Sequence, residues 1–461
     1  MNIVMIEPAS LGIHVYAGIK LPRLGLPTIA AILKQRGHDV LIFHEESAPI
    51  NWYVVTNANL VFLSTITCTA PRAYEIADKI REENISVFIG GPHVTFEPEE
   101  ALAHTDVVIR GEGEETIEEL VNAYAQNYRS PDLENIKGIS YSRSGIKRHN
   151  QDRPLITDLT KVSFPDLDAI VSWENRITPF QFSRGCPFNC SFCSVTPMFG
   201  KSLRFFDTEA MAEEIIRRKP KNIFFYDDNF TADKRKTRAL LEIFQRRNFK
   251  TSWTSQNRID VAHDRDLLKL MRDTGNIRQY IGFESINPET LKNFKKGQSV
   301  EQISEAIQVI QSYGINIHGM FVVGSDFDTP DTVRETVKFA IKHKLSTIQI
   351  IMLIPFPGTE VREEKKKNNS ILSSNWKNYD GHYVLVRPKL MSPWQLQAET
   401  LRGMLKFFSL SRWWKLTLQF KIESAFYNNY ARKVLKKWRD DLNNKEFLKK
   451  IKVLYEKKEA D

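Results

Sequence analysis

Arg184-Gly-Cys186-Pro-Phe-Asn-Cys190-Ser-Phe-Cys193 is the stretch on which the reading of this chain turns. Its three cysteines are spaced C-x3-C-x2-C, with Phe192 just before the last, on a turn that follows an apolar run. Three thiolates hold three irons of a four-iron cluster and leave the fourth iron without a protein ligand. An open iron is a place where a small molecule chelates, so the spacing points to reactive chemistry rather than a staple. Zinc is the plainer alternative, but it wants a fourth ligand and usually two C-x2-C knuckles. The one remaining cysteine, Cys68, lies far upstream.

Working outward, the segment from Thr178 alternates strands with helices. Strands are expected at Pro179–Ser183, Asn222–Tyr226, Thr251–Ser255, Gln279–Phe283, Asn316–Val323 and Thr347–Leu353. Helices are expected between them at Glu209–Arg218, Lys234–Arg246, Asp264–Thr274, Val300–Tyr313 and Pro330–His343. That order gives a partial (β/α)6 barrel whose chemistry belongs at the carboxyl ends of its strands. The cysteine loop follows the first strand, where such a site lies. Later strand ends carry Asp227-Asp228-Asn229-Phe230, then Gln256 and Arg258, then Glu284-Ser285, Gly324 and Pro355. Singly each is weak, since an acidic residue after a strand is as often a helix cap as a ligand. Their recurrence in order carries the assignment.

The first 130 residues alternate in the same way. Apolar runs at Asn2–Ile6, Val40–Phe43, Leu60–Leu63, Val87–Ile89 and Val107–Ile109 are separated by helical patterns at Leu26–Arg36, Arg72–Glu83 and Glu115–Ala125. This is a doubly wound parallel sheet. Its loops carry Ser64-Thr65, Gly90-Gly91 and Gly111-Glu112-Gly113-Glu114, at the strand ends where open α/β sheets bind ligands. Gly111-x-Gly113 is rejected as a dinucleotide fingerprint: it follows a late strand, and the glutamates around it repel a pyrophosphate. Cys68 reads as a buried structural thiol, with exposure to the cleft as the alternative.

The cysteine stretch with its Phe192 resembles the cluster motif of the radical S-adenosylmethionine (SAM) enzymes. The run from Leu21-Pro-Arg-Leu-Gly-Leu-Pro to Gly90-Gly-Pro-His and Arg110-Gly-Glu-Gly-Glu looks like the cobalamin-binding (B12-binding) domain that precedes many of their cores. The resemblance implies an α/β chain with a Rossmann-like cobalamin-binding domain at 1–130, a linker at 131–177, a radical SAM TIM-barrel core at 178–385 and a helical C-terminal region at 386–461. It implies a [4Fe-4S] cluster on Cys186, Cys190 and Cys193. It gives SAM contacts to Phe192, Asp227, Asp228, Asn229, Gln256, Arg258, Glu284, Ser285, Gly324 and Pro355. Cobalamin contacts fall to Ser64, Thr65, Gly90, Gly91, Gly111, Glu112 and Gly113. The D-x-H-x-x-G signature that ligates cobalt in mutase-type domains is absent, and His14 reads as a surface loop residue, so cobalamin is expected base-off.

The activity so implied is C-methylation of an unactivated carbon. A 5′-deoxyadenosyl radical would abstract a hydrogen, methylcobalamin would supply the methyl group and a second SAM would restore it. Oxidative cyclisation or ring contraction is the alternative with the same cofactors. Further alternatives are a radical SAM oxidoreductase with an empty first domain and a zinc-stabilised scaffold without activity. The methylthiotransferase branch is disfavoured, because its three further cysteines are missing. A flavodoxin or ferredoxin would serve as external electron donor.

Four cysteines do not make a disulfide framework in 461 residues, so a reducing cytoplasm is expected. The N-terminus has no signal-like leader, and no run approaches a spanning length. The net charge is +9, and residues 401–461 alone hold 16 Lys and Arg against 7 Asp and Glu. The basic character therefore belongs to the tail, which argues against nucleic acid across the main domains. In the tail Phe426, Tyr430, Val434, Trp438 and Leu442 recur at i+4 opposite Lys433, Lys436 and Arg439. This stripe either packs on the barrel or lies on an anionic membrane, which would favour a lipid-like substrate over another small molecule.

Overall fold

The computed structural model describes residues 1–13, 15, 20–174 and 177–456. The first sheet has seven strands in the order β2-β1-β3-β4-β5-β6-β7. These are β1 (Asn2–Glu7), β2 (Asp39–His44), β3 (Leu60–Ser64), β4 (Ser86–Gly90), β5 (Val107–Ile109), β6 (Ile139–Arg143) and β7 (Ile146–His149). The first five are parallel, and their apolar runs are continuous because both faces are covered. Helices Gly25–Gln35 and Glu114–Gln126 bury Leu26, Leu33, Ile117 and Leu120 on one face. Helix Ala70–Glu82 buries Ala73, Ile76 and Ile80 on the other.

One boundary needs correcting. Residues 139–149, inside the expected 131–177 linker, form a hairpin that belongs to the first sheet: β6 pairs antiparallel with β5, and β7 with β6. The following chain stays on the same domain, with Asp166 N donating to Pro27 O and Val171 N to Ile42 O. Ser, Pro and Asn density marks turns, and it carries no information about which sheet a hairpin joins.

The second sheet is six parallel strands in the order β15-β14-β13-β12-β11-β8. They are β8 (Thr178–Phe180), β11 (Asn222–Phe225), β12 (Ser252–Asn257), β13 (Asn276–Glu284), β14 (Asn316–Val323) and β15 (Thr347–Met352), and β8 and β15 do not pair with each other. A two-stranded ribbon, β9 (Ser183–Arg184) with β10 (Arg204–Phe205), flanks the cysteine loop. The outer helices share one core with the tail: Leu240, Phe244, Leu267, Ile303 and Val337 belong to the same cluster as Leu396, Met404, Leu435 and Trp438.

The tail comprises helices Pro393–Phe407, Leu410–Leu418, Ile422–Asp440 and Leu442–Glu456. It packs on the barrel through part of the expected stripe, Val434 and Trp438, and through residues outside it. The buried set on Ile422–Asp440 is Ser424, Ala425, Asn428, Ala431, Leu435 and Trp438, while Phe426 is exposed. Strict i+4 spacing drifts by about 40° per step around a helix, so a straight face needs threes and fours. Leu442 begins the next helix and is exposed. Among the described residues no helix is long and apolar enough to cross a membrane.

Two polar joints hold the carboxyl edge of the first sheet over the carboxyl ends of the barrel strands. In one, Arg362 donates to Glu97 at 3.1 Å and Trp376 Nε1 to Glu100 at 2.8 Å. The other is built from the cysteine loop itself.

Candidate functional site

The cysteine loop is shaped by its neighbours. Gly185 has φ +90°, and a Cβ there would collide with Ser202 O, so this step into the loop takes only glycine. Cys186 N donates to Gly200 O, Ser191 N to Phe294 O and Val361 N to Ser191 O, which pins both flanks. Cys186, Cys190 and Cys193 line one chamber with about 960 Å³ of open space. Burial raises the Cys186 thiol and pushes that of Cys193 up to about 12, so these sulfurs give up protons to a metal rather than to water. Among the described residues no group of three or more His, Cys, Asp or Glu is arranged around a single metal ion. Three thiols of one loop facing one chamber suit a four-iron cluster whose fourth iron has no protein ligand. Cys68 is buried at the domain interface beside Asp380 and lines neither chamber, in keeping with a structural thiol.

Most of the expected SAM contacts surround that chamber. Phe192, Asp228, Asn229, Gln256, Arg258 and Glu284 line it. Phe192 packs against Phe294 with centroids 4.9 Å apart. Asn229 Oδ1 is buried with no hydrogen-bond partner among the described residues, an acceptor left for a ligand. Arg258 lies 3.7 Å over the Phe188 ring and donates to Lys296 O at 2.6 Å. Glu284, at φ +63°, makes a buried ion pair with Lys296 at 2.7 Å. Burial and the charge of Asp227 push the Asp228 carboxyl up to about 7.

Four expected contacts lie outside the chamber wall, and each has a structural use. Asp227 is fully buried and accepts from Phe182 N, Ser183 N and Ser183 Oγ, bracketing the start of the cysteine loop. Ser285 Oγ accepts from Asn287 N in a turn. Gly324 packs against Leu396 of the tail, and Pro355 O accepts from Arg362. Sequence reading missed Lys296, Met320, Gln349 and Ile351, which also line the chamber. Gln349 and Ile351 occupy alternate positions on β15, so a period-two reading of that strand would have found them.

A second chamber, with about 1300 Å³ of open space, lies between the first sheet and the barrel. Ser64, Gly90, Gly91, Gly111, Glu112 and Gly113 line it, with apolar walls from Leu26, Ile29, Phe62, Met198 and Phe199. Thr65 does not. It is buried, and its hydroxyl is engaged with Thr69 and Ile66 O. Gly91 has φ +108° and sits so close to Thr65 O that a Cβ would collide. At Gly111, φ +70°, a Cβ would project into open space. Wide apolar walls with a glycine cradle fit a corrin macrocycle. No histidine among the described residues lines the cleft; His14 lies outside the described residues.

Glu112 has a further use. Its oxygens accept from Arg184 at 3.0 Å and Arg204 at 2.7 Å, and Arg184 also pairs with Glu114 at 2.6 Å. All four side chains are buried, and the two guanidiniums hold the Glu112 carboxyl below its usual range despite burial. This network joins the Gly111–Glu114 loop to the residue that opens the cysteine stretch. Asp228 lines both chambers.

The comparisons with known proteins agree with this geometry. The Radical SAM superfamily model matches residues 180–340, and the B12 binding domain model matches residues 12–121. An uncharacterized methyltransferase, PH0819, of Pyrococcus horikoshii is 29% identical over 88% of this chain and 92% of its own length. The bacteriochlorophyllide d C-8(2)-methyltransferase of Chlorobaculum tepidum is 29% identical over 76% of this chain and 78% of its own. Among solved structures, the radical SAM methyltransferase TsrM of Kitasatospora setae, with cobalamin and a [4Fe-4S] cluster bound, shares the fold. It has a TM-score of 0.67 at 16% identity, covering 86% of this chain and 84% of that one. The chain is a radical SAM enzyme. Its N-terminal B12-binding domain sets it among the cobalamin-dependent members, whose cofactors are the [4Fe-4S] cluster, SAM and cobalamin.

Proposed function

We propose that this protein is a cobalamin-dependent C-methyltransferase acting on an unactivated carbon of a small or lipid-like molecule. The observation that carries the reading is the single wall, Asp228, shared by the cysteine chamber and the interdomain cleft. A substrate carbon at that wall is open to both sides. The two relatives named as methyltransferases support methylation over cyclisation.

When bound, the cluster, SAM and cobalamin supply the radical and methyl chemistry. The chain's part is to hold and orient. Cys186, Cys190 and Cys193 hold the iron. Asp228, Asn229 and Glu284 accept hydrogen bonds from the ammonium and hydroxyl groups of SAM, Gln256 and Arg258 donate to its carboxylate, and Phe192 packs beside it. Gly90, Gly91, Gly111 and Gly113 give the macrocycle close approach to backbone, with Ser64 at the rim. Glu112 acts through its arginines, fixing the cleft against the cysteine loop. An external flavodoxin or ferredoxin delivers the electron, in the cytoplasm, with the C-terminal helices in peripheral contact with a membrane.

The test is product counting in anaerobically reconstituted protein. One S-adenosylhomocysteine and one 5′-deoxyadenosine per methyl group transferred are expected. Deoxyadenosine formed without S-adenosylhomocysteine would remove methylation and leave cyclisation or rearrangement.

A further inference from the structure

The tail covers the barrel with one set of apolar side chains and presents another to solvent. Helices Leu410–Leu418 and Ile422–Asp440 form an antiparallel hairpin. Around its turn Trp414 is 54% exposed, Leu418 76%, Phe420 88%, Ile422 63% and Phe426 67%. Trp414 and Leu418 are one helical turn apart on the first helix, as are Ile422 and Phe426 on the second. Phe420 stands at the turn in the left-handed region, φ +55°, a conformation that costs free energy and here presents a phenyl ring to water. Solitary exposed apolar residues need no explanation, but five in one turn do.

The hairpin is bolted to the barrel. Arg412 donates to Leu345 O and Ser346 O, in the turn just before β15. Glu423 pairs with Arg278, near the start of β13. Both anchors lie at the amino ends of the strands, the end of the barrel opposite the cysteine loop. Charge beside the turn is basic: Lys415 and Lys421 are exposed, and the acidic residue near the turn, Glu423, is taken by Arg278.

We infer that this hairpin turn docks the enzyme on an anionic lipid bilayer, with Trp414, Leu418, Phe420, Ile422 and Phe426 in the headgroup–acyl boundary and the lysines on the phosphates. The inference rests on the membrane contact proposed above and replaces the i+4 stripe with a set that shares only Phe426 with it. Interfacial segments pair an aromatic and leucine-rich face with lysine and arginine in this way. A second copy of the chain would bring its own lysines to the same patch, so like charge disfavours self-association there. Because the hairpin is fixed to the barrel floor, docking also sets orientation. The cysteine chamber then faces away from the bilayer, on the order of 20 Å above the floor for strands of this length and tilt. SAM is therefore taken from the aqueous side, and a lipid-like substrate reaches the chamber only after leaving the bilayer.

The experiment is flotation of anaerobically purified full-length protein with vesicles of phosphatidylcholine, alone or mixed with phosphatidylglycerol. The protein is expected to float with the anionic vesicles, less so at high salt, and to stay at the bottom with phosphatidylcholine alone. Replacing Leu418→Ser, Phe420→Ser and Ile422→Ser together is expected to weaken partitioning on the order of a hundredfold. Since the three are solvent-exposed, reductive cleavage of SAM is expected to be unchanged, which shows that the variant is folded. Lys415→Glu with Lys421→Glu is expected to abolish the preference for anionic vesicles. Equal flotation of the triple variant and the parent would overturn the inference, as would a parent that never floats. A dimer dissolved by the triple variant, with no flotation by the parent, would also overturn it and assign the patch to a second copy. Flotation is read without turnover, so it stands apart from the methylation test.

Discussion

Arg278, buried near the amino end of β13, donates to Glu423 in the first turn of helix Ile422–Asp440 at 2.8 Å, so the C-terminal region closes the barrel floor. Glu423→Ala leaves a buried guanidinium without a carboxylate, beside Tyr280 and the Tyr427 ring, the latter 5.1 Å away. Because Glu423 is half exposed, the loss is that of a charge-assisted hydrogen bond, about 1–3 kcal/mol. The urea midpoint should fall accordingly, and Glu423→Gln should recover much of it.

Replacing Cys186, Cys190 or Cys193 by Ala should each abolish the iron–sulfur absorbance and all reductive cleavage of SAM. Cys68→Ala should leave both intact, because that thiol is buried away from the chamber. Anaerobic reconstitution followed by absorbance and iron analysis reads the difference.

Glu112→Ala leaves buried Arg204 without a carboxylate and buried Arg184 with Glu114 alone, and breaking one side of a buried pair costs about 3–5 kcal/mol. Arg184→Met alone should be comparably harmful. The double variant should cost less than the sum by about 1 kcal/mol or more, since the two share one network. Chemical denaturation of the four proteins in a double-mutant cycle measures this.

His318 lines the barrel interior, its Nδ1 2.8 Å from Thr347 Oγ1 and its ring against Tyr280. Burial, with the nearby Arg278 charge, holds the imidazole down to about 3, against 6.5 for a free side chain. The unfolded chain therefore binds a proton below pH 6.5 that the folded chain refuses. His318's contribution to stability is present above that pH and is lost as pH falls from 6.5 toward about 3. The slope is at most about 1.4 kcal/mol per pH unit, that of one proton. His318→Gln should flatten the fall in Tm between pH 7 and pH 5.

Gly91→Ala puts a methyl group against Thr65 O at φ +108° and should displace the loop that walls the interdomain cleft. Cobalamin should no longer co-elute on gel filtration, while the [4Fe-4S] spectrum survives. Equal retention of cobalamin by the variant would remove this loop from the binding site.

The alternation of apolar runs and helices made both sheets readable, because parallel strands buried on two faces carry an unbroken apolar signal. Cysteine spacing gave the cluster loop, since C-x3-C-x2-C is a local pattern. What escaped depends on direction. Asp227 and Asp228 are adjacent, and alternation along the backbone turns one inward to bracket Phe182 and Ser183 and the other toward both chambers. Sequence cannot distinguish them without a register. Thr65 and Ser285 were placed in the right loops, but their hydroxyls are consumed by turn hydrogen bonds. Glu112 was legible as a charge near the cleft; that its partners would come from 72 and 92 residues farther along was not.

That separation has a bearing on biosynthesis. Chains are made and begin to fold from the amino end. Glu112 leaves the ribosome 72 residues ahead of Arg184 and 92 ahead of Arg204. Until both arrive, the Gly111–Glu114 loop carries carboxylates that cannot be buried without a counter-charge, so it stays turned to water. The nascent first domain can complete its sheet but not its cleft. Maturation of the cobalamin pocket is thereby deferred until the cysteine loop has been synthesised.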